Sequence, residues 1–293
     1  MSLPFVWHIT VKLELYLILA LSLNLLVGYA GLVSLCHAAF YGVGAYGTAL
    51  LAMRCGWPFP AALAGAVGLT MALGALVALP SLRLRDDYLV VATLAFQNIV
   101  YRVLYNSDGL TRGALGLADL PPAKIGALVL QRDTGAFVVG ATVLTLATLA
   151  VLGRLAHSPF GRALRAVRDD ETALAALGRD VAALKVKAFL LAAGAAAVAG
   201  ALLAVHSDVL HPNEFTTEQS VLALTALIVG GVGNVRGPLL GAVALVALEE
   251  LFRFAGGWWQ GLAGEANALL LAVALIVLLR LRPQGLAGVY RFE

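Results

Sequence analysis

Apolar runs alternate with short polar segments along the whole chain of 293 residues. A helix needs about 20 residues to cross a hydrocarbon core about 30 Å thick, and most of the runs approach that length. The pattern predicts helices at 13–31, 36–53, 60–82, 88–105, 135–155, 188–206, 221–233, 237–255 and 263–281. We therefore expect an all-α polytopic membrane protein with about eight to ten transmembrane helices, folded as a single transmembrane domain over residues 1–293.

Glycine interrupts two of these runs. The run at 221–233 would rise only about 20 Å as a helix, which is too short for a full span. The glycines are Gly42, Gly44 and Gly47 in the run at 36–53, and Gly230, Gly231 and Gly233 in the run at 221–233. Unwound backbone persists inside a membrane only where it lines a cavity or packs on protein, so these glycines predict broken segments along a translocation path. Close helix packing through small residues is an equal alternative.

Amide side chains lie inside the predicted spans, notably Asn24 in the first and Gln97 and Asn98 in the fourth. Amides in lipid are tolerated when they bond to other helices or face a wet cavity. Hydrogen bonding between helices is the structural interpretation, and a place on the translocation path is the functional one. The spans contain no series of acidic residues that resembles a proton relay.

Charge is scarce and unevenly distributed. Only 13% of the residues are charged, against about 25% in soluble domains, and 61% are hydrophobic. The net charge of +3 comes mostly from Lys and Arg in the loops after the third, fifth and last predicted spans. Alternation puts these loops on one face, which the positive-inside rule makes cytoplasmic. The loops at 106–135 and 206–220 and the N-terminus then lie outside, and topology rather than nucleic-acid binding explains the basic excess.

The sequence favours no catalytic, metal or cofactor site. The stretch GVGAYG at 42–47 matches a dinucleotide-binding pattern but follows no predicted strand, and no Walker-type phosphate loop occurs. Cys36 and Cys55 lie in or beside apolar runs and are interpreted as small apolar residues. One loop carries four possible metal ligands at spacings that fit no standard site, His206, Asp208, His211 and Glu214. We expect neither a metal nor a cofactor on this chain, and no enzymatic activity.

A charged segment, SPFGRALRAVRDDETALAALG at 158–178, lies between two long apolar runs. On a helical projection Arg162, Arg165 and Arg168 fall on one side, and apolar residues at three- and four-residue spacing fall on another. Pro159 suits a helix start and Gly178 suits a helix end. We predict an amphipathic cytoplasmic helix at about 160–178 that docks a soluble partner. A membrane-surface helix or a structural loop is the alternative.

Four stretches, in order along the chain, resemble a known family. They are LSLNLLVGYAGLVSLCHAAFYGVGAYGTALL (21–51), LRLRDDYLVVATLAFQNIV (82–100), SPFGRALRAVRDDE (158–171) and VGGVGNVRGPLLGAV (229–243). Together they resemble the permeases of branched-chain amino acid importers of the ATP-binding-cassette (ABC) type. Within the charged segment, DETALAALG at 170–178 resembles the Glu-Ala-Ala…Gly pattern by which such permeases dock onto their ATPases, although Thr172 replaces the usual first alanine.

The resemblance implies a permease subunit in a bacterial inner (plasma) membrane that works by alternating access. Its expected partners are a second homologous permease, two cytoplasmic ATP-binding subunits that hold ATP and Mg²⁺, an external solute-binding protein and the lipid bilayer. The expected ATPase-coupling residues are Glu171, Ala173 and Gly178 from the resemblance and, from charge alone, Arg162, Arg165 and Arg168.

Branched-chain or other hydrophobic amino acids are the leading substrates that the resemblance implies. The stretch LTRGALGLADLP at 110–121 departs from the family pattern, because Arg112, Ala114 and Leu115 stand where Gly, Pro and Asn are usual. Urea or another small amide or amino acid is therefore an alternative substrate. An ion-coupled secondary carrier that acts alone is a second hypothesis from a different class, which a carboxylate relay within the membrane would favour.

Overall fold

The computed structural model describes residues 3–81, 86–125, 128–130, 134–256, 280 and 285–287, and these are mostly helical. The helices are α1 (Leu3–Asn24), α2 (His37–Cys55), α3 (Phe59–Ser81), α4 (Asp86–Asn106), α5 (Asp108–Thr111), α6 (Gly135–His157), α7 (Pro159–Asp169), α8 (Glu171–Ala176), α9 (Val181–His206), α10 (Thr217–Gly230) and α11 (Arg236–Gly256). A π-helix, Leu25–Tyr29, continues α1, and 3-10 turns lie at Gly113–Leu115 and Pro212–Phe215.

Four short strands form two antiparallel ribbons beside the helices. β1 (Leu117–Ala118) pairs with β4 (Val209–Leu210), with Leu117 opposite Leu210. β2 (Ala123–Ile125) pairs with β3 (Leu128–Leu130). The first ribbon joins the two long loops that charge and alternation place on one face, so their common side is confirmed.

Eight of the nine predicted runs are largely helical, and the ninth, 263–281, lies outside the described residues except for residue 280. α1 begins about ten residues before its predicted start. The polar side chains of this extension find partners, since His8 lies 3.0 Å from His206 and Lys12 forms an ion pair of 2.7 Å with Glu249.

Five of the described helices are long and apolar enough to cross a membrane. They are Phe5–Tyr29, Phe59–Pro80, Tyr88–Asn106, Gly135–His157 and Val181–His206. The chain is an all-α polytopic membrane protein, as its apolar runs predict.

α9 lies in the interior of the bundle, where it packs against α1, α2 and α3. Its many alanines let neighbouring helices approach closely. The approach is tightest against α2, where Gly44 faces the backbone of Ala197 and Gly200 faces the backbone of Tyr41. A Cβ at either glycine would overlap the opposite backbone, so the crossing of α2 and α9 requires glycine at both positions.

The break predicted at the glycines of α2 is wrong, because α2 is a continuous helix. Gly42 packs on the side chain of Phe215, Gly44 packs on α9, and Gly47 packs on Ala66 of α3. The alternative interpretation, close helix packing through small residues, is confirmed at these positions.

Two contacts establish which helix ends lie together. At one end of the bundle, His8 of α1 meets His206 of α9. At the other end, Gly28 of the π-helix accepts a hydrogen bond from Arg168 of α7. Twenty residues of α1 and its π-helical continuation separate His8 from Gly28, so these two levels are about 30 Å apart. The beginning of α1 therefore lies on the face opposite the charged segment, as alternation predicts.

Candidate functional site

The second predicted break is present in the structure. α10 ends at Gly230 and α11 begins at Arg236, and residues 231–235 between them form a glycine linker. Gly231 and Gly233 have φ angles of 110° and 86°, which glycine adopts without strain. The N–H of Ala287 donates to the carbonyl of Gly230 at 2.8 Å and satisfies one of the groups that the helix end leaves unpaired.

Asn24, at the end of α1, clamps this glycine linker. Its Nδ2 donates to the carbonyl of Asn234 at 2.7 Å, and its Oδ1 accepts from the N–H of Gly233 at 3.0 Å. Asn24 is buried, and its two bonds satisfy backbone groups of the partly buried linker. Gly28 faces the same point, where a Cβ would overlap Asn24 and Gly233. The linker therefore packs directly on the turn that joins α1 to the π-helix.

Arg168 connects the charged segment to the same point. Its Nη1 donates to the carbonyl of Gly28 in the π-helix at 2.5 Å. Arg165, three residues earlier, lies over the ring of Tyr29 at 5.5 Å from its centroid. Both arginines thus face the bundle. We call the junction the group formed by Asn24, the π-helix, the glycine linker, Arg165 and Arg168.

The charged segment contains two helices, which corrects the single helix predicted at 160–178. Asp170 has extended backbone (φ −161°, ψ 102°) between α7 and α8. Its carboxylate accepts from two backbone N–H groups of α8 at 2.9 and 3.0 Å, so it ends one helix and caps the next. The predicted ends are confirmed, since α7 begins at Pro159 and Gly178 follows α8 with a φ of 78°.

The outward surface of the segment carries the other predicted coupling residues. Leu164, Val167 and Leu174 are buried against the bundle. Four predicted coupling residues are exposed, Arg162, Glu171, Ala173 and Gly178. Glu171 is held by an ion pair with Lys185 of α9. Leu177, next to Gly178, is 80% exposed, so the surface combines charge with an apolar group.

Gln97 and Asn98 are adjacent in α4 but have different surroundings. Gln97 is completely buried, and its Oε1 accepts from the N–H of Ala39 at 2.6 Å while its Nε2 donates to the carbonyl of Phe215 at 2.7 Å. Asn98 is exposed and donates to the carbonyl of Leu94 in its own helix. Gln97 therefore joins α4 to two other segments, whereas Asn98 lies on the outer face of α4.

The loop with four possible metal ligands does not bring them together. Within the ranges that the structure describes, no three His, Cys, Asp or Glu side chains are placed to hold a metal ion. His206 stacks on His8 and on Phe137 instead. Burial raises the pKa of Glu214, in the 3-10 turn that precedes α10, to about 7.

Two features of the structure were not expected from the sequence. Glu14 of α1 is buried and accepts a hydrogen bond from the hydroxyl of Thr142 at 2.5 Å. Because the predicted helix began at residue 13, this carboxylate was expected at the end of a helix rather than near its middle. The apolar character of residues 3–7 indicates the earlier start. No pattern in the sequence indicates that Arg168 points inward, because its partner is a backbone carbonyl.

Comparisons with known proteins match most of the chain. A family model described as "Branched-chain amino acid transport system / permease component" matches residues 5–279. The "High-affinity branched-chain amino acid transport system permease protein LivM" of Salmonella typhimurium is 34% identical over 299 residues, which cover 94% of this chain and 68% of the relative.

Two more distant relatives carry related names. The high-affinity branched-chain amino acid transport system permease protein LivH of Escherichia coli is 26% identical over 290 residues, which cover 93% of this chain and 91% of the relative. A probable branched-chain amino acid transport permease protein LivM of Methanocaldococcus jannaschii is 29% identical over 223 residues, 73% of this chain and 64% of the relative. No solved structure matches the chain.

Proposed function

The chain belongs to the permease family of branched-chain amino acid transport systems, and from this premise we propose that it is the membrane permease of an ATP-driven importer for branched-chain or other hydrophobic amino acids. The names of its relatives support this substrate class. Its expected location is the bacterial inner membrane. Its own role is to carry solute across the membrane, and ATP and Mg²⁺ are bound by partner subunits.

The proposed importer contains a second permease, two cytoplasmic ATP-binding subunits and an external solute-binding protein. The chain is similar to proteins with two different names, LivM and LivH, each called a permease of a high-affinity branched-chain amino acid transport system. This pair of names supports an importer with two homologous permeases. The exposed surface of α7 and α8, with Glu171, Ala173 and Gly178, is the proposed contact with an ATPase.

The junction is the single observation that carries the mechanism. When the ATPases close on ATP, they push on α7 and α8. Arg168 passes this movement to the carbonyl of Gly28, and Asn24 passes it to the glycine linker. Because the linker separates α10 from α11, its movement tilts the two helices and opens an inward path. The path is proposed to run beside Asn24 and the glycines at 230–233.

The proposal predicts that Glu171→Lys separates this chain from its ATPase. A tagged chain purified from its native membranes is expected to bring an ATP-hydrolysing subunit with it, and the reversed charge should abolish that co-purification. Glu218→Lys is the matched control, because Glu218 is exposed at the opposite end of the bundle. Equal loss of the ATPase in both variants would contradict the proposed contact.

Vesicles reconstituted with this chain alone test the alternative class of transporter. Glu14 is one buried carboxylate in α1, and a single group does not make a relay across the membrane. Vesicles that contain this chain without ATP or ATPases should therefore accumulate no leucine. Accumulation driven by an ion gradient alone would indicate a secondary carrier.

A further inference from the structure

A cavity of about 250 Å³ opens beside α1 at the end of the bundle where His8 meets His206. α1, α2, α9, α10 and the loop between α9 and α10 all contribute to its wall. Along α1 the lining residues run from His8 to Leu19. Eleven residues of helix rise about 16 Å, so the cavity reaches from the outer end of α1 to near its middle.

The wall of the cavity is divided between charged and apolar groups. His8 and Lys12 provide N–H donors toward its outer end, and Lys12 is positioned by its ion pair with Glu249. Leu15, Leu19 and Leu203 provide an aliphatic surface. The cavity thus offers a cation and an apolar wall to one small solute.

Glu214 completes the wall from the 3-10 turn before α10. Its Oε2 is buried and has no hydrogen-bond partner among the described residues. A buried carboxylate oxygen that lacks a donor is costly, and a ligand that supplies a donor removes this cost. The missing partner is therefore a group with N–H bonds and, for a carboxylate, preferably a positive charge.

We propose that this cavity binds the zwitterion of a free aliphatic amino acid on its way into the membrane. The ammonium group binds Glu214, the carboxylate binds Lys12 and His8, and the side chain packs on Leu15, Leu19 and Leu203. This inference rests on the proposed function and specifies where one permease subunit holds its substrate. Urea has neither charge nor an aliphatic chain, so the same wall selects against it.

A polar side chain marks the continuation of the path toward the junction. Tyr41 of α2 lines the cavity, and His37 lies one helical turn before it on the same face. The ring of His37 is fully buried and lies against the backbone of Ser22 in α1. Asn24 of the junction is five residues beyond Leu19 in α1, so little protein separates the cavity from the proposed inward path.

The charge of Glu214 makes binding depend on pH. Burial raises its pKa to about 7, so the carboxylate is mostly protonated at pH 6 and mostly ionised at pH 8. The other titratable groups that line the cavity are His8, Lys12 and Tyr16 on α1, Tyr41 on α2 and His206 on α9. Ionisation of Glu214 strengthens its attraction for the ammonium group, so binding that is tighter at pH 8 than at pH 6 has the sign expected for this carboxylate.

The test measures equilibrium binding of radiolabelled leucine to the purified full-length chain in lipid nanodiscs. We expect leucine to bind at pH 8, with 4-methylpentanoate, isopentylamine and urea competing at least tenfold more weakly. Glu214→Gln should weaken leucine binding at least tenfold at pH 8. Glu218→Gln, which changes an exposed glutamate four residues away, should leave it unchanged.

A second measurement uses the native chain and therefore does not depend on whether a variant folds. The ionised fraction of Glu214 rises roughly tenfold between pH 6 and pH 8 for a pKa of about 7, and leucine affinity should follow it. Absence of leucine binding, or equal binding to the native chain and Glu214→Gln, overturns the site. If the ATPase co-purifies normally in that case, the transport function stands and only the site is lost. Leucine binding to a chain from whose native membranes no ATPase co-purifies would support the site and contradict the importer.

Discussion

Buried amides at two positions each join separate parts of the backbone. Asn24 holds the glycine linker with both of its polar atoms, and Gln97 holds the start of α2 and the turn before α10. An amide suits these places because it offers a donor and an acceptor without a charge that lipid would penalise. An amide side chain therefore has a structural role at Gln97, whereas the amide of Asn24 moves in the proposed mechanism.

Gln97→Leu should destabilise the protein strongly. The leucine leaves the buried carbonyl of Phe215 unpaired, which costs about 1–3 kcal/mol, and it leaves the N–H of Ala39 with only its longer bond to the carbonyl of Cys36. We expect the midpoint of thermal unfolding in detergent, followed by tryptophan fluorescence, to fall by several degrees. Asn98→Leu is the control and should change it little, since Asn98 is exposed. Similar shifts for the two variants would reject the structural role of Gln97.

At the scale of elements, α7 and the π-helix form one mechanical unit. The helical projection of the charged segment grouped three arginines, but the structure separates them by direction, because Arg162 is exposed whereas Arg165 and Arg168 contact the π-helix. A projection shows which residues share a face but not what that face meets. Arg165 and Arg168 thus point toward the bundle, and the proposed contact with an ATPase is left to α8 and to the outer residues of α7, including Arg162.

This division of roles predicts that Arg168→Gln separates ATPase binding from transport. The variant keeps the outer surface of α8, so the ATPase should still co-purify. It loses the charged hydrogen bond to Gly28, so ATP-driven leucine uptake into proteoliposomes should fall at least tenfold. Arg162→Gln removes an exposed arginine of the same helix and should retain most of the uptake. Loss of the ATPase itself from Arg168→Gln would mean that this arginine docks the partner directly.

At the scale of the whole molecule, periodicity and length predicted most of the helices, because a membrane requires long apolar runs. They predicted the structure wrongly where the local backbone conformation depends on residues that are distant in the sequence. The glycines of α2 are helical because α3 and α9 enclose them, whereas Gly231 and Gly233 are unwound where Asn24 holds their linker. The position of Glu14 depends on the extension of α1, which His206 and Glu249 stabilise by pairing with its polar residues.

The arrangement of the helices in the membrane predicts where a thiol reagent can reach. Cys55, at the end of α2, is exposed on the face of the long loops, while Cys36 is buried. A membrane-impermeant maleimide added to intact spheroplasts should therefore label the native chain, and Cys55→Ser should abolish the labelling. In the Cys55→Ser background, Leu177→Cys places a thiol on the exposed surface of the charged segment and should react only after the membrane is permeabilised. Labelling of Leu177→Cys in intact spheroplasts would invert the topology and exclude contact between α8 and a cytoplasmic ATPase.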